Sequence, residues 1–347
     1  MLLRLTATAV ALTAVHSGIA EEKAVRFPEN PLVSVATSKS LGDNVNGPSV
    51  IRVPPWIQHP LGRYYMYFAH HKGGYIRLAY ADSLHGPWKI YEPGVFNVRD
   101  TIFYRPRPDP PDAPLSLYTH VASPEVYIED TDRQLVMYVH GLWTDGKSWP
   151  ADPRVREKWF RDNGYAQYTQ TAVSSDGLHF QMRPGISAKT SYLRLFRWES
   201  DFYGMSRLGL LSKSKDPLGI FEAGANPFDH GPYAKRVRHV ALQVRGDRLY
   251  VFFSAIGDAP ERIMLSTIDL NGDWKNWRAS APVEILSPRE PYECIDLPAA
   301  PSKAGESEGR ERALRDPAIF EDSGKVYLFY SVCGEQGIGG AEVSSVR

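Results

Sequence analysis

The sequence predicts an all-β protein, a five-bladed β-propeller built from four-stranded antiparallel blades. First, one hairpin pattern recurs five times at spacings of several tens of residues, which is typical of repeat architectures. A copy consists of a polar start, a short apolar run, a turn and an aromatic run. Second, further β-type segments with Ser/Asp/Gly turns follow four of the copies and supply outer strands. Third, no long segment shows a helical period.

The five hairpins follow one another along the chain, and the last is the clearest. It joins the apolar run 314–320 to the aromatic run 326–331 through the acidic, glycine-containing turn 321–325. In chain order the hairpins cover residues 46–68, 123–139, 192–205, 238–253 and 314–331, of which the third is the weakest copy. The outer segments cover 75–88, 169–180, 208–214 and 264–274. The best helix candidate, 153–160, lies in an insertion.

Composition limits the domain count and the class of partner. The 347 residues are 43% hydrophobic and 12% aromatic, enough to bury the core of one large all-β domain. We therefore predict a single propeller domain over residues 21–347. The 40 basic and 40 acidic residues balance, which argues against nucleic acid or an anionic membrane as the main partner. The sequence does not predict an oligomeric state.

Residues 1–20 have the features of a signal peptide. Arg4 supplies the positive charge, residues 5–15 are apolar, and 18–20 place small residues before a cleavage point. The apolar run is too short to span a bilayer. We expect cleavage after Ala20 and a secreted or periplasmic protein.

Cys294 and Cys333 are the two cysteines of the chain. In an exported protein they could form a disulfide that closes a mid-length loop. Two buried thiols are an equally good interpretation. Two cysteines alone cannot form a thiolate zinc site.

Propeller geometry sorts the polar residues between two faces. The near face carries the starts of the first strands and the loops between second and third strands. The far face carries the turns between first and second strands. Acidic residues such as Glu199 and Asp201 fall on the far face, and we interpret them as ordinary turn residues.

The near face collects histidines, carboxyls, an arginine and a tyrosine. The histidines are His70, His71, His140 and His239, and the carboxyls are Glu125, Asp258, Glu261, Asp316 and Glu335. Tyr192 and Arg315 also start first strands on this face. Polar groups that bind hydroxyls, together with aromatic faces that cover a sugar ring, are typical of carbohydrate sites.

These segments resemble the blades of five-bladed β-propeller glycoside hydrolases, of which glycoside hydrolase family 43 and its relatives are the best-known members. The resemblance rests on Arg-Asp-Pro-Ala-Ile at 315–319 with the aromatic run after it. Ser-Pro-Glu-Val-Tyr at 123–127 and Ala-Asp-Ser-Leu-His-Gly-Pro-Trp at 81–88 are similar to other blades of the group. The resemblance covers nearly all of 21–347 and implies the fold and an activity on glycans.

The chain departs from that family at two catalytic positions. The family's first blade usually starts with an aspartate that serves as general base, whereas residues 46–48 here are Asn-Gly-Pro. The family's fourth blade supplies a glutamate acid where residues 238–240 here are Arg-His-Val. Asp316-Pro317 of the fifth blade is kept. The chain therefore resembles a divergent member.

The function predicted from these residues is an exported glycoside hydrolase, a polysaccharide-degrading enzyme that acts on a terminal sugar in an axial funnel. Asp316 and His239 transfer protons, since both groups can act as acids or bases, and Glu125 supports them. His70, His71, His140, Tyr192, Asp258, Glu261, Arg315 and Glu335 bind the substrate. Asp316 as an ion-pair partner of neighbouring blades, and Glu125 as the partner of an arginine, remain alternatives.

Two other functions fit the same residues. A histidine, Tyr192 and an arginine are the base, acid and charge neutraliser that a polysaccharide lyase uses on a uronate. A sugar-binding propeller without turnover would explain the missing family carboxylates. No cofactor is predicted with certainty. Imidazoles and carboxylates near the axis would also suit a divalent cation, although no His-Glu-x-x-His spacing is present.

Overall fold

The computed structural model describes residues 21–104, 119–145, 150, 152–307 and 309–346. Five four-stranded antiparallel sheets form a ring, and a further two-residue strand pairs with one of them. The predicted five-bladed β-propeller is thereby confirmed. The predicted signal peptide, 1–20, lies outside the described residues.

The strands follow the predicted repeats in order. Two strands precede the first complete blade, β1 (Glu21–Arg26) and β2 (Val33–Ser34). Blade 1 contains β3 (Asn46–Arg52), β4 (Tyr64–Ala69), β5 (Tyr75–Ala81) and β6 (Lys89–Asn97). Blade 2 contains β7 (Ala122–Glu129), β8 (Gln134–Trp143), β9 (Ala166–Ser174) and β10 (Gln181–Met182). Blade 3 contains β11 (Arg194–Trp198), β12 (Asp201–Met205), β13 (Leu211–Ser214) and β14 (Glu222–Ala223).

The last two blades complete the ring. Blade 4 contains β15 (Val237–Arg245), β16 (Arg248–Ala255), β17 (Ile263–Asp269) and β18 (Val283–Leu286). Blade 5 contains β19 (Leu314–Asp322), β20 (Lys325–Val332) and β21 (Gly337–Val346), and β1 forms its outer strand. β1 pairs antiparallel with β21 over its whole length. The two ends of the described chain therefore close the ring through one sheet, which leaves no open seam between blades 5 and 1.

The second strand of a blade is buried on both faces, which explains why these strands are continuous apolar runs. In β4, Tyr65 and Tyr67 face the cluster shared with blade 2, whereas Met66 and Phe68 face the cluster shared with blade 5. All four side chains are fully buried. Because successive side chains of a strand point to opposite faces, a strand between two blades needs apolar residues at every position. Equivalent clusters fill the other three gaps.

A β-bulge opens the first strand in four of the blades. The pairing register shifts after Asn46, Ala122, Val237 and Arg315. In blades 1, 2 and 5 a proline follows, which cannot donate to the ladder. The residue before it has a left-handed backbone, with φ of 61° at Gly47, 47° at Ser123 and 48° at Asp316. A bulge of this kind turns a side chain away from the regular alternation of the strand.

Close contact at the axis also restricts Gly47. A Cβ atom added there would lie 3.1 Å from Cα of Ser123 in the next blade. The bulges of adjacent blades therefore touch through their backbones. This contact sets the width of the axial opening on the near face.

The insertion of blade 2 contains one α-helix, α1 (Pro153–Asp162), as the sequence predicted. Asp152 caps it, since its side chain accepts a hydrogen bond from the Arg154 N–H. Phe160 packs with Leu142 and Tyr165, and Trp143 of β8 and Trp159 of α1 pack against that cluster. Of the described helices, none is both long enough and apolar enough to span a membrane.

A long connection, the 287–313 loop, joins β18 to β19 on the near face. Cys294 of this loop forms a disulfide with Cys333 after β20, with Cα atoms 5.0 Å apart. Glu293 is fully buried and accepts hydrogen bonds from the Arg26 Nε at 2.7 Å and the Arg289 N–H at 2.7 Å. The alternative of two free thiols is therefore wrong, and the loop is fixed to blade 5.

The acidic turn residues lie at the opposite end of the blades. Glu199 connects β11 to β12 with a left-handed backbone, φ 54°. Asp201 pairs with Lys213 at 2.5 Å and also with Lys215. Their interpretation as structural far-face residues agrees with this position.

Candidate active site

The near face contains a cavity of about 860 Å³ beside the axis. One wall is the 287–313 loop from Leu297 to Ala313, and the other walls come from the blades. The blade residues that line it are His71, Gln167, Tyr192, Arg207, Arg238, His239, Ile256 and Glu261. A volume of this size is in the usual range for small-ligand pockets. Of the predicted site residues, His71, Tyr192, His239 and Glu261 therefore reach one cavity.

Asp316 and His239 form a buried pair behind this cavity. Asp316 is 2% exposed and His239 is 5% exposed. Asp316 Oδ1 lies 2.7 Å from His239 Nδ1, and the Ser331 hydroxyl donates a hydrogen bond of 2.8 Å to Oδ2. The bulge before Pro317 directs the Asp316 side chain toward blade 4. Residues that are 77 positions apart in the sequence thus meet through the ring.

The environment of the pair keeps the aspartate ionised and the histidine neutral. Burial raises the pKa of Asp316, but the charge and hydrogen bond of His239 outweigh this and hold that pKa below its usual value. Burial lowers the pKa of His239 below its usual value of 6.5, against the opposing effect of Asp316. Nδ1 lies at hydrogen-bonding distance from Asp316 but is not aligned for a regular hydrogen bond. With the ring proton on Nδ1, the nitrogen nearer the carboxylate, Nε2 of His239 keeps a lone pair. This atom is then available as a base.

A row of rings extends from this pair across the near face. The Tyr192 ring lies 4.3 Å from the His239 ring and 4.1 Å from the His140 ring. Burial, followed by the charges of Asp316 and Glu335, raises the pKa of Tyr192, so its hydroxyl stays protonated. Burial lowers the pKa of His140 well below its usual value. Two uncharged rings therefore flank Tyr192.

His140 lies behind the Tyr192 ring, at the end of this row of rings. Its side chain is 1% exposed, and it is not among the residues that line the cavity. Neither ring nitrogen has a hydrogen-bond partner among the described residues. His140 therefore contacts Tyr192 through its ring face and holds that side chain in position.

Arg315 pairs with three glutamates beside Asp316 and His239. It is 1% exposed and donates hydrogen bonds to Glu261 at 2.8 Å, Glu335 at 3.4 Å and Glu311 at 2.5 Å. Glu261 also accepts a hydrogen bond of 2.8 Å from Arg238 Nε. Burial lowers the pKa of Arg315, but the glutamates outweigh it and raise that pKa above its usual value. These carboxylates are therefore part of a charge network.

Glu335 belongs to the same network at the seam between blades 5 and 1. Its Oε2 accepts hydrogen bonds from Asn44 at 2.7 Å and Asn46 at 3.1 Å, and lies 3.5 Å from His71 Nδ1. Burial raises the pKa of Glu335, but His71 and Arg315 outweigh it and lower that pKa. Burial lowers the pKa of His71, but Glu335 and Glu306 outweigh it and raise that pKa. An ion pair of His71 with Glu335 results.

The network bears on the divalent cation considered from the sequence. Within the described part of the chain, no group of three or more His, Cys, Asp or Glu side chains is arranged to hold a metal ion. The guanidinium of Arg315 lies among the three glutamates. These carboxylates are therefore paired with an arginine, and a divalent cation near the axis stays a prediction.

Glu306 is a cavity residue that the sequence did not identify, because it lies in the irregular 287–313 loop. Its side chain is 11% exposed and its Oε2 lies 3.8 Å from Lys72 Nζ. That oxygen has no hydrogen-bond partner among the residues that the structure describes. Burial raises the pKa of Glu306, against the opposing effects of His71 and Lys72. A carboxyl that keeps its proton to higher pH is suited to general-acid catalysis.

Glu125 lies on the axis but does not line the cavity. Its Oε2 accepts a hydrogen bond of 2.5 Å from Arg194 Nη1 and lies 3.4 Å from the Ser49 hydroxyl. Arg194 also donates to the carbonyls of Pro48 and Pro124. The pair joins blades 1, 2 and 3, which is the structural role considered for Glu125 from the sequence.

His70 and Asp258 also lie on the near face without reaching the cavity lining. His70 Nε2 is 2.9 Å from Asp43. Asp258 is 6% exposed and accepts a hydrogen bond of 2.6 Å from Arg236. Its backbone carbonyl accepts a bond from the Ser302 N–H. Asp258 therefore fixes the 287–313 loop to blade 4, and its contact with substrate stays a prediction.

Comparison with known proteins identifies one relative in sequence. Uncharacterized protein R118 of Acanthamoeba polyphaga mimivirus is 32% identical over 340 residues, covering 92% of this chain and 90% of that protein. No family model matches the chain.

Solved structures share the fold at low sequence identity. A structure of the GH130 family of mannoside phosphorylases, which contains glycoside hydrolases that target β-1,2 mannosidic linkages in Candida mannan, has a TM-score of 0.57 at 12% identity. It matches over 92% of this chain and 93% of that one. CoXyl43, a GH43 β-xylosidase/α-arabinofuranosidase from a compost microbial metagenome, has a TM-score of 0.55 at 11% identity, over 93% and 94%. An α-L-arabinofuranosidase from Lactobacillus brevis has a TM-score of 0.54 at 11% identity, over 90% and 92%. The predicted resemblance to this group is confirmed for the fold.

The ion pair of His71 with Glu335 predicts a pH-dependent contribution to stability. The folded-state pKa of His71 is raised above 6.5, so its stabilising effect is complete below that pH and is lost as pH rises through the raised pKa. The free energy of unfolding of wild type should therefore exceed that of His71→Gln most below the usual histidine pKa of 6.5, and the difference should shrink as pH rises through the raised pKa of His71. Urea unfolding of both proteins across this range measures it. A difference that grows with pH would contradict the ion pair.

Proposed function

Since the chain belongs to the same family as protein R118 of Acanthamoeba polyphaga mimivirus and has the propeller fold of the glycoside hydrolases above, we propose that it is a glycoside hydrolase that removes a terminal sugar in the near-face cavity. One observation supports this most strongly. The Asp316–His239 pair, 2.7 Å apart, meets the same cavity as the carboxyl of Glu306, whose Oε2 has no hydrogen-bond partner among the described residues. The cavity thus offers a base and an acid.

In this mechanism His239 is the general base. Its Nε2 takes a proton from a water molecule as that water attacks the anomeric carbon. Asp316 holds the imidazole in the required tautomer through Nδ1 and stabilises the imidazolium that forms. Glycosidases normally use a carboxylate for this step, and a neutral histidine performs it with little tuning near neutral pH.

Glu306 is the general acid of the mechanism. It donates its proton to the leaving glycosidic oxygen as the bond from that oxygen to the anomeric carbon breaks. The charges then balance, because His239 gains one proton and Glu306 loses one. The raised pKa of Glu306 supports this role, since the acid must be protonated at the start.

The shape of the cavity and the covalent structure support the remaining parts of the proposal. The 287–313 loop closes one side of the opening, which favours the end of a glycan over the middle of a long chain. The Cys294–Cys333 disulfide is typical of proteins in oxidising compartments. Together with the predicted signal peptide, it supports a secreted or periplasmic location.

A polysaccharide lyase is the second candidate, favoured by the contact of Tyr192 with His239 at 4.3 Å between ring centroids. In β-elimination His239 would remove the C5 proton of a uronate, and the C4–O bond would break as the Tyr192 hydroxyl donated its proton to the leaving oxygen. A cavity arginine would neutralise the carboxylate. An unsaturated product with new ultraviolet absorbance would identify this reaction and exclude hydrolysis.

Replacement of Asp316 tests the role of the Asp316–His239 pair. Asp316→Asn keeps the size of the side chain, and asparagine tolerates the left-handed backbone at this position. The amide can no longer enforce the Nδ1–H tautomer of His239, so turnover should fall by roughly 10²- to 10⁴-fold. Turnover is measured by mass spectrometry on an oligosaccharide panel, and thermal unfolding serves as the folding control. Full activity in a folded variant would remove Asp316 from the mechanism.

Replacement of Glu306 tests the acid through the pH profile. In wild type, kcat/KM should fall at low pH as His239 is protonated and at high pH as Glu306 is deprotonated. Glu306→Gln should lose the high-pH limb and reduce kcat/KM by roughly 10²- to 10⁴-fold. Glycosides with an activated aryl leaving group should lose much less, because they need no protonation. An equal loss on both kinds of substrate would show that Glu306 acts in binding.

A further inference from the structure

The side chains that line the cavity carry an excess of positive charge. Five are cationic, namely Arg207, Arg238, Lys303, Arg310 and Arg312. Three are carboxyls, Glu261, Glu306 and Glu311. The whole chain has equal numbers of basic and acidic residues, so the excess is a local property of the cavity.

Two of the three carboxyls are already committed to other partners. Glu261 bridges Arg238 and Arg315 at 2.8 Å each, and Glu311 pairs with Arg315 at 2.5 Å. Arg315 is not a lining residue. Part of the negative charge in the wall therefore neutralises a cation behind it. Of the lining cations, Arg238 shares Glu261 and Arg310 pairs with Asp296 at 3.3 Å, which leaves the others without a carboxylate at ion-pair distance among the described residues.

Arg207 and Arg312 are the clearest uncompensated cations. Arg207 lies exposed in the turn from β12 to β13, and its guanidinium has no hydrogen bond or ion pair with any described residue. Arg312 lies in the 287–313 loop, and its Nε is enclosed without a hydrogen-bond partner in the described part of the chain. An enclosed charged donor without an acceptor is costly, and a bound anion would supply the acceptor.

The two arginines line the cavity from different elements. Arg207 belongs to blade 3, and its N–H donates a hydrogen bond to the carbonyl of Ser191, next to Tyr192, whose ring contacts His239. Arg312 belongs to the loop that also carries Glu306. A guanidinium binds carboxylate or sulfate oxygens in pairs, so an anionic group between these residues would orient a sugar ring beside His239.

We propose that the cavity selects a sugar that carries an anionic substituent, a carboxylate or a sulfate, and that Arg207 and Arg312 bind this group. The proposal rests on the proposed carbohydrate-processing function and specifies its substrate class. Hydrolysis and elimination both accommodate it, since the anion is a recognition group in the first and the activating group in the second.

Binding to matched saccharides tests the proposal without requiring turnover. The panel contains methyl glycosides of glucose, galactose and mannose, with the corresponding 6-carboxylates and 6-sulfates, titrated by calorimetry into the mature chain. The best anionic member should bind roughly tenfold to a hundredfold more tightly than its neutral counterpart, as expected for charge-assisted hydrogen bonds. Comparison of carboxylate with sulfate identifies which anion the cavity takes.

Variants locate the anion. Arg207→Gln and Arg312→Gln should each remove most of the preference for the anionic sugar and leave binding of the neutral one unchanged. Arg63→Gln, an exposed arginine on the far face, should change neither. Equal binding of neutral and anionic sugars would overturn this proposal but leave the hydrolase proposal intact. A preference that survives both variants would overturn the assignment to these arginines, and binding of no saccharide would overturn both proposals.

Discussion

The buried guanidinium of Arg315 holds the near face together. It reaches Glu261 in the loop of blade 4, Glu335 in the loop of blade 5 and Glu311 in the 287–313 loop. Removing such a charge from water costs several kcal/mol, which only good hydrogen-bond geometry with opposite charges offsets. Once the glutamates are paired in this way, the three segments have little freedom to move independently.

This constraint determines where the neighbouring aspartate points. Arg315 and Asp316 occupy the bulge at the start of β19, and their side chains point to different partners. Arg315 binds the glutamates, whereas Asp316 meets His239 and the Ser331 hydroxyl. The charge network therefore fixes the position of Asp316 without pairing with its carboxylate. His239 keeps a free Nε2 beside the cavity. The fold thus separates the carboxylates that maintain structure from the groups available for chemistry.

Much of the fold and part of the site could be predicted from the sequence, because both follow from repetition. Equivalent positions of successive repeats lie at the same height on the ring, so His71, Tyr192, His239 and Asp316 could be placed on one face from the hairpin pattern. How deeply each of these side chains is buried in that face is set by side-chain packing, which the hairpin pattern does not describe. For this reason, the position of Glu125 is set by its hydrogen bond of 2.5 Å with Arg194. The position of His70 is set by Asp43, 2.9 Å away.

Two of the cavity residues missed by sequence reasoning lie outside the repeat. Glu306 and Arg312 belong to the 287–313 loop, whose path is set by the Cys294–Cys333 disulfide and the buried Glu293. Whether the two cysteines pair could not be decided from their spacing alone. Unless the Cys294–Cys333 disulfide is known, nothing in the sequence indicates that the 287–313 loop lies beside the cavity on the near face.

The hypothesis on which the mechanism depends is that burial keeps His239 neutral, while Asp316 holds the ring proton on Nδ1. Nitrogen NMR of histidine-labelled protein, with His239→Gln for assignment, reports the charge and tautomer of this ring directly. We expect a neutral His239 at neutral pH, protonated at Nδ1, and a change in that signal in Asp316→Asn. An imidazolium at neutral pH, or a proton on Nε2, would contradict it.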